Sequence, residues 1–248
     1  MNTAATIAGR LAAVQDEIRR ACERAHRSPE EVSLIAVSKT HAAAAVVEAI
    51  RAGQRRFGEN RPEEAAGKMA EVAQLCEVPV EWHLIGHVQS RKARYAADGF
   101  ALLHSLDSLK LAERLDRILS ERDAARLDVL LEINVSGEAS KEGWHMAGWR
   151  DDTAIRHALW DDAAALLALP QIRVRGLMTM APLVDDPEQT RPVFAELRAL
   201  RDALAQDFPA ADWSQLSMGM SDDYPVAVEE GATLVRVGRS IFGTRSYK

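Results

Sequence analysis

The sequence predicts a single α/β domain, a (β/α)8 barrel with an extra leading helix. Three observations predict it. Eight strand-like runs alternate with helical stretches along the chain, the order that builds a parallel sheet covered by helices. Its 248 residues suit one barrel, taken as a single domain over residues 1–248. Polar side chains and glycines also gather where the apolar strand bodies end. A doubly wound open sheet is the alternative that the same alternation allows.

The leading helix is read from Ile7, Leu11, Val14 and Ile18, spaced by three and four with charges between them. Ser28-Pro29-Glu30-Glu31 has the cap residue, proline and acids of a second helix start. The eight candidate strands are 32–38, 55–58, 81–86, 101–105, 128–134, 172–180, 213–218 and 234–238. Helical patterns between them include 41–52, 108–122, 153–169, 187–206 and 221–230. Asp186-Pro187 is a cap followed by a first-turn proline, and Val193, Leu197, Leu200 and Leu204 mark that helix's inner face. The longest irregular piece, 136–152, contains Gly137, Gly143 and Gly148 and follows the fifth strand. It is placed to cover a pocket mouth.

Composition excludes several classes. With 47% hydrophobic residues the chain can bury a core, so disorder is not expected. A net charge of −6 argues against a nucleic-acid partner. No stretch reaches the ~18 apolar residues of a membrane span, and the opening MNTAATIAGR has no apolar signal core. Cys22 and Cys76 form neither a disulfide framework nor a metal pattern. These readings give a cytoplasmic protein with no membrane partner. Monomer is the expected state, because a barrel buries its core without a partner.

Lys39 is the most informative residue. Of six lysines it alone closes an apolar strand pattern, Val32-Ser33-Leu34-Ile35-Ala36-Val37-Ser38. Partial desolvation there favours the neutral amine, a nucleophile whose usual use is a Schiff base with a carbonyl. The competing reading is a lysine that snorkels into solvent. The other strand ends carry Gly58-Glu59-Asn60, Gly86-His87, His104-Ser105, Asn134 and Met178-Thr179-Met180. The last two are Ser217-Met218-Gly219-Met220-Ser221 and Gly238-Arg239-Ser240. Backbone N–H groups and serine hydroxyls in those final loops suit a phosphate. A Schiff-base lysine facing a phosphate site suggests a phosphorylated aldehyde. Pyridoxal 5′-phosphate (PLP) and a sugar phosphate in a lysine-dependent aldolase both fit.

The ordered set Ala36-Val37-Ser38-Lys39-Thr40, Phe57-Gly58-Glu59-Asn60, Trp82-His83-Leu84-Ile85-Gly86-His87-Val88-Gln89-Ser90 and Asn134-Val135-Ser136-Gly137-Glu138 continues through Ser140-Lys141 and Gly176-Leu177-Met178. It ends with Leu216-Ser217-Met218-Gly219-Met220-Ser221-Asp222-Asp223, Val235-Arg236-Val237-Gly238 and Ile241-Phe242-Gly243. In these segments the chain resembles the pyridoxal phosphate homeostasis protein family. The resemblance implies a barrel like the N-terminal domain of alanine racemase, with PLP held as a covalent aldimine on Lys39. It matches Ser217, Ser221, Gly238 and Arg239 to phosphate-binding positions, the last two through backbone N–H groups. Arg236 matches the arginine near the pyridine nitrogen, and Asn60 and His83 match positions near the cofactor. Met218 is grouped with them, and with Met220 is read as pocket wall. The chain departs from the family pattern at Arg61-Pro62, Arg91 and His41-Ala42, and in the tryptophans and acids of 144–162.

An arginine beside the ring nitrogen disfavours its protonation and leaves the ring a poor electron sink. None of Tyr95, Tyr224 and Tyr247 has a claim to act as a racemase base. The implied function is therefore PLP storage and delivery to apo-enzymes, limiting the free aldehyde, with no catalytic residues. A racemase-like PLP enzyme acting on an unidentified amino acid is the alternative, and the aldolase is a third. His26 and His157 read as surface groups. His83, His87 and His104 make a metal cluster conceivable, but the spacing of a metalloenzyme is missing and no metal is expected. Trp144, Trp149 and Trp160 read as a core edge or a partner patch. Glu59 is expected to pair with a nearby arginine.

Overall fold

The computed structural model describes residues 6–243. The readings of residues 1–5 and of Tyr247 lie outside them. The chain opens with α1 (Ile7–Arg24), whose Thr6 hydroxyl caps it by accepting from Gly9 N at 3.1 Å. Its predicted stripe is buried, and the helix lies against the first and last turns of the barrel wall.

Strand and helix then alternate as β1 (Ser33–Val37), α2 (Ala43–Arg51), β2 (Arg56–Glu59), α3 (Pro62–Leu75), β3 (Glu81–Leu84) and α4 (Ala93–Ala96). Next come β4 (Leu102–Leu106), α5 (Leu109–Glu121), β5 (Leu127–Asn134), β6 (Trp144–His145), α6 (Thr153–Leu167) and β7 (Ile172–Met178). The chain continues with α7 (Arg191–Asp207), β8 (Gln215–Ser217), α8 (Tyr224–Glu229), β9 (Leu234–Val237) and α9 (Arg239–Phe242).

Every strand pairing is parallel. The order β1-β2-β3-β4-β5-β7-β8-β9 returns to β1, so the sheet closes into an eight-stranded barrel. This settles the choice against an open sheet. It also sets β5 directly across the barrel from β1. The short β6 is an addition within the 136–152 stretch, paired to the end of β5 through Ile133–Trp144 and Asn134–His145.

Side chains of a strand point alternately in and out. The outward set packs under the helices in one large core, for example Phe57, Leu103, Leu131 and Leu177. Inside the barrel, Ile35, Leu102, Leu130, Met178 and Leu234 form a separate apolar layer. Two residues further along stand Val37, His104, Glu132 and Arg236 on their strands, and Met180 just past the end of β7. The barrel is thus plugged by hydrocarbon below and becomes polar toward the carboxyl ends of its strands.

Some elements differ from expectation at their ends. Ser28 caps only a single 3-10 turn, Pro29–Glu31. Asp186-Pro187 likewise begins a 3-10 turn, Pro187–Thr190, before α7. The expected helix 221–230 starts later, at Tyr224, because Asp223 Oδ1 accepts from Met220 N at 2.5 Å and holds a turn there.

Candidate functional site

A cavity of about 700 Å³ opens over the polar layer. Its walls come from the ends of β1, β2, β3, β5 and β9 and from the loops that follow β7 and β8. Lys39, Asn60, Ser221, Arg236, Gly238 and Arg239 all line it. Six sequence-predicted residues are therefore brought to one space. His83, Ser217 and Met218 stand behind the wall, buried in the barrel.

Lys39 follows β1 in a tightly held turn. Ser38 Oγ donates to Glu59 Oε1 at 2.6 Å, and Lys68 Nζ reaches both Glu59 Oε1 at 2.7 Å and Ser38 O at 2.9 Å. Glu59 thus pairs with Lys68, not with an arginine as its sequence context suggested. Thr40 has φ +68, rare for a β-branched residue, so the turn is strained on one side of Lys39 and clamped on the other. His41 stacks on Phe242 with ring centroids 5.0 Å apart. Burial, assisted by the Lys68 charge, pulls its pKa down and keeps the ring neutral.

Beside this turn, past the end of the neighbouring strand β9, Ser221 Oγ accepts from Gly238 N at 3.4 Å, joining the loops after β8 and β9. The Arg239 side chain pairs with Asp222. Beneath them Arg236 is buried and donates to Ser217 Oγ at 2.5 Å and to Thr179 O at 2.9 Å. Burial lowers its pKa to about 10, with Asp223 and Glu132 pulling the other way, so it stays charged at neutral pH.

The Arg236 contact continues as a row under the cavity floor. Ser217 Oγ lies 2.7 Å from His104 Nδ1, and His104 Nε2 lies 2.9 Å from His83 Nδ1. Burial lowers the His83 pKa to about 4 and depresses His104 well below its ordinary value. With both rings neutral, one proton order runs the length of the row. In it Ser217 accepts from Arg236 and donates to His104, which donates to His83, whose buried Nε2 has no hydrogen-bond partner and lies 3.7 Å from Glu81 Oε2. The two histidines are thus ring partners of each other. Among the described residues no His, Cys, Asp or Glu group is arranged to hold a metal ion.

Three groups were not singled out from the sequence. Glu132 on β5 lines the cavity and is 4% exposed. Asp107 Oδ2 pairs with His87 Nδ1 at 2.9 Å near the mouth. Lys68 reaches the turn from α3. The alternation that places Leu130 inward also places Glu132 inward, a signal present in the sequence. The Lys68 and Asp107 contacts join separate elements and leave no local pattern.

The tryptophans of the 144–162 stretch have structural partners. Trp149 is buried and stacks on Trp160 with centroids 6.1 Å apart, and Trp144 Nε1 donates to Asp162 Oδ2 at 2.8 Å. No described helix is long and apolar enough to cross a membrane.

Comparison with known proteins identifies relatives of the chain. Residues 10–246 match the family model of the alanine racemase N-terminal domain. The chain is 41% identical over 243 residues to the pyridoxal phosphate homeostasis protein of Escherichia coli, covering 97% of each. It is 45% identical to that of Pseudomonas aeruginosa, covering 98% of this chain and 97% of the relative. Among solved structures, PipY of Synechococcus elongatus without PLP superposes with a TM-score of 0.81 at 42% identity, over 96% of this chain and all of that one. PipY with PLP bound superposes with a TM-score of 0.78. An alanine racemase from Clostridium difficile shares the fold, with a TM-score of 0.67 at 14% identity over 94% of this chain and 57% of that one.

Proposed function

The chain belongs to the pyridoxal phosphate homeostasis protein family, and on that premise we propose that it binds PLP covalently on Lys39 and works in vitamin B6 homeostasis. It would store the cofactor, deliver it to apo-enzymes and keep the free aldehyde scarce. The observation that carries this reading is the meeting of Lys39, Ser221, Gly238 and Arg236 on one cavity. An amine, a hydroxyl with nearby backbone N–H groups and a buried guanidinium are the partners that an aldehyde, a phosphate and an unprotonated pyridine nitrogen call for. The PLP-bound structure of PipY supports the choice of PLP over a sugar phosphate.

Bound PLP supplies an electron-withdrawing ring to an amino-acid carbon, and it does so best when its nitrogen is protonated. Arg236 cannot take a proton, and two of its five donors hold Ser217 and Thr179, which fixes the guanidinium in place. Behind it, neutral His104 and His83 offer no acid to the ring. The residues therefore favour holding the cofactor over using it. Asn60 and the backbone of Arg239 complete the proposed holding set, while Ser217, Met218 and His83 support it from behind the wall.

The test is a visible spectrum of the purified protein incubated with PLP, before and after borohydride, with intact mass and peptide mapping. A yellow protein fixed by reduction onto Lys39, and an unmodified Lys39→Ala variant, support the reading. A wild-type protein that stays colourless and unmodified defeats it. Exchange of the α-hydrogen of amino acids in deuterated water, lost in Lys39→Ala, would turn the assignment toward an enzyme.

A further inference from the structure

The cavity has two chemically different halves. One holds Lys39, Arg236, Ser221 and Gly238, which suit an anionic aldehyde. The other holds Glu132 and Glu142 on the wall, with Asp107 behind His87. Glu132 sits on β5, across the closed barrel from β1, the strand that Lys39 follows.

Glu132 is the informative group. It is 96% buried, since only 4% of its surface is exposed, and its Oε2 finds no hydrogen-bond partner among the described residues. A carboxyl left so is costly unless a ligand supplies the missing partner. Arg236 does not supply it: its hydrogen bonds go to Ser217 and Thr179, and Glu132 Oε2 stays unpartnered. A divalent cation is a poor candidate, because no described group of acids and histidines is arranged to hold one. A primary ammonium is a compact cation with N–H donors, and it suits one buried carboxylate with a second at the rim. A ligand bearing its own carboxylate would meet like charge from Glu132, Glu142 and Asp107. The basic side chain on this wall, His87, is paired with Asp107.

We infer that Glu132 and Glu142 form a second subsite for a primary amine without a carboxylate, next to the cofactor end of the cavity. This rests on the reading that PLP occupies the Lys39 end. It adds the chemical class of a second ligand, one that would reach the cofactor's side of the barrel opposite Lys39. Burial raises the Glu132 pKa to about 7, with the Asp107 and Glu142 charges adding to the rise and Arg236 and His87 opposing it. The subsite therefore gains its negative charge across neutral pH.

The probe is n-propylamine, titrated by calorimetry into two forms of the protein. One is unloaded. The other is reduced with borohydride and shown by mass to carry one pyridoxyl group, so that the amine cannot displace Lys39. Binding should strengthen between about pH 6 and about pH 8, where the amine stays protonated and Glu132 ionises. Glu132→Gln should weaken it about tenfold or more and flatten the pH profile, and Glu142→Gln should weaken it less. Glycine and 1-propanol should bind more poorly than n-propylamine. Equal binding of 1-propanol or glycine, no binding of the amine, or an unchanged Glu132→Gln affinity would overturn the subsite. The wild-type pH and ligand comparisons decide the matter even if the variant fails to fold. If no pyridoxyl group can be fixed on Lys39, the underlying reading falls separately, and titration of the unloaded protein still decides the amine subsite.

Discussion

Lys68 Nζ lies 2.7 Å from Glu59 Oε1, and the two side chains grip Ser38, the residue before Lys39. Both are largely buried, with side-chain exposures of 15% and 5%. Removing one partner of such a pair leaves an uncompensated charge, at a cost of about 3 kcal/mol. Lys68→Met should therefore lower stability by about that amount in denaturant unfolding. It should also loosen the strained Thr40 turn and slow the proposed covalent capture of PLP by Lys39. A stability loss with unchanged capture kinetics would show that the clamp holds the fold without positioning the lysine.

Glu132 gives a stability effect with a defined sign. Its carboxyl pKa rises from 4.5 to about 7 on folding, chiefly through burial. Between those values the unfolded chain ionises it and the folded chain keeps the proton, so stability falls as pH rises through that window. Above it the loss is complete, on the order of 3 kcal/mol. Glu132→Gln should raise the melting temperature by several degrees at about pH 8 and leave it nearly unchanged at about pH 4. An equal shift at both pH values would trace the effect to packing.

Buried histidines act in the opposite direction. The unfolded chain protonates His83 below its ordinary 6.5, whereas the folded chain resists until about 4, and His104 is depressed as well. The unfolded state then binds more protons, so stability drops as pH falls from about 6.5 toward 4, by about 1.4 kcal/mol per pH unit for each group fully in its window. Glu132 partly masks this slope, so it is best read in a Glu132→Gln background. His83→Asn keeps an acceptor for His104 Nε2–H while removing one titrating group. It should make the acid slope of chemical unfolding shallower, and an unchanged slope would locate acid sensitivity elsewhere.

The fold was legible because its signals are local. Strands such as β1 and β5 are short apolar runs, and α1 shows its buried stripe at helical spacing. The cluster at the strand ends could also be read, since a parallel barrel brings all its carboxyl ends to one face. What stayed hidden depends on partners distant in the chain. Nothing near His104 announces that Ser217, 113 residues later, will meet its Nδ1. Glu132 was masked differently: β5 is buried on both faces, so its period-two pattern is submerged in a nearly continuous hydrophobic run.

Gly176 ties the barrel wall to the cavity floor. Its φ is +143, and a Cβ there would lie 1.8 Å from the carbonyl oxygen of Gln215 on the neighbouring strand. No rotamer can relieve a clash with backbone, so Gly176→Ala must separate β7 from β8. The cost should be about 3 kcal/mol or more. Gly53→Ala is the control, because its φ is +102 but nothing stands within 4 Å of the added carbon. That change should cost only about 1 kcal/mol of conformational strain. The β7–β8 pairing carries Thr179, which donates its N–H to Ser217 O at 3.1 Å and accepts from Arg236. Spreading those strands should therefore disturb Arg236 and shift the absorption of bound PLP in whatever Gly176→Ala protein folds. A normal spectrum with normal stability would mean that the strands tolerate the methyl group, contrary to the contact geometry.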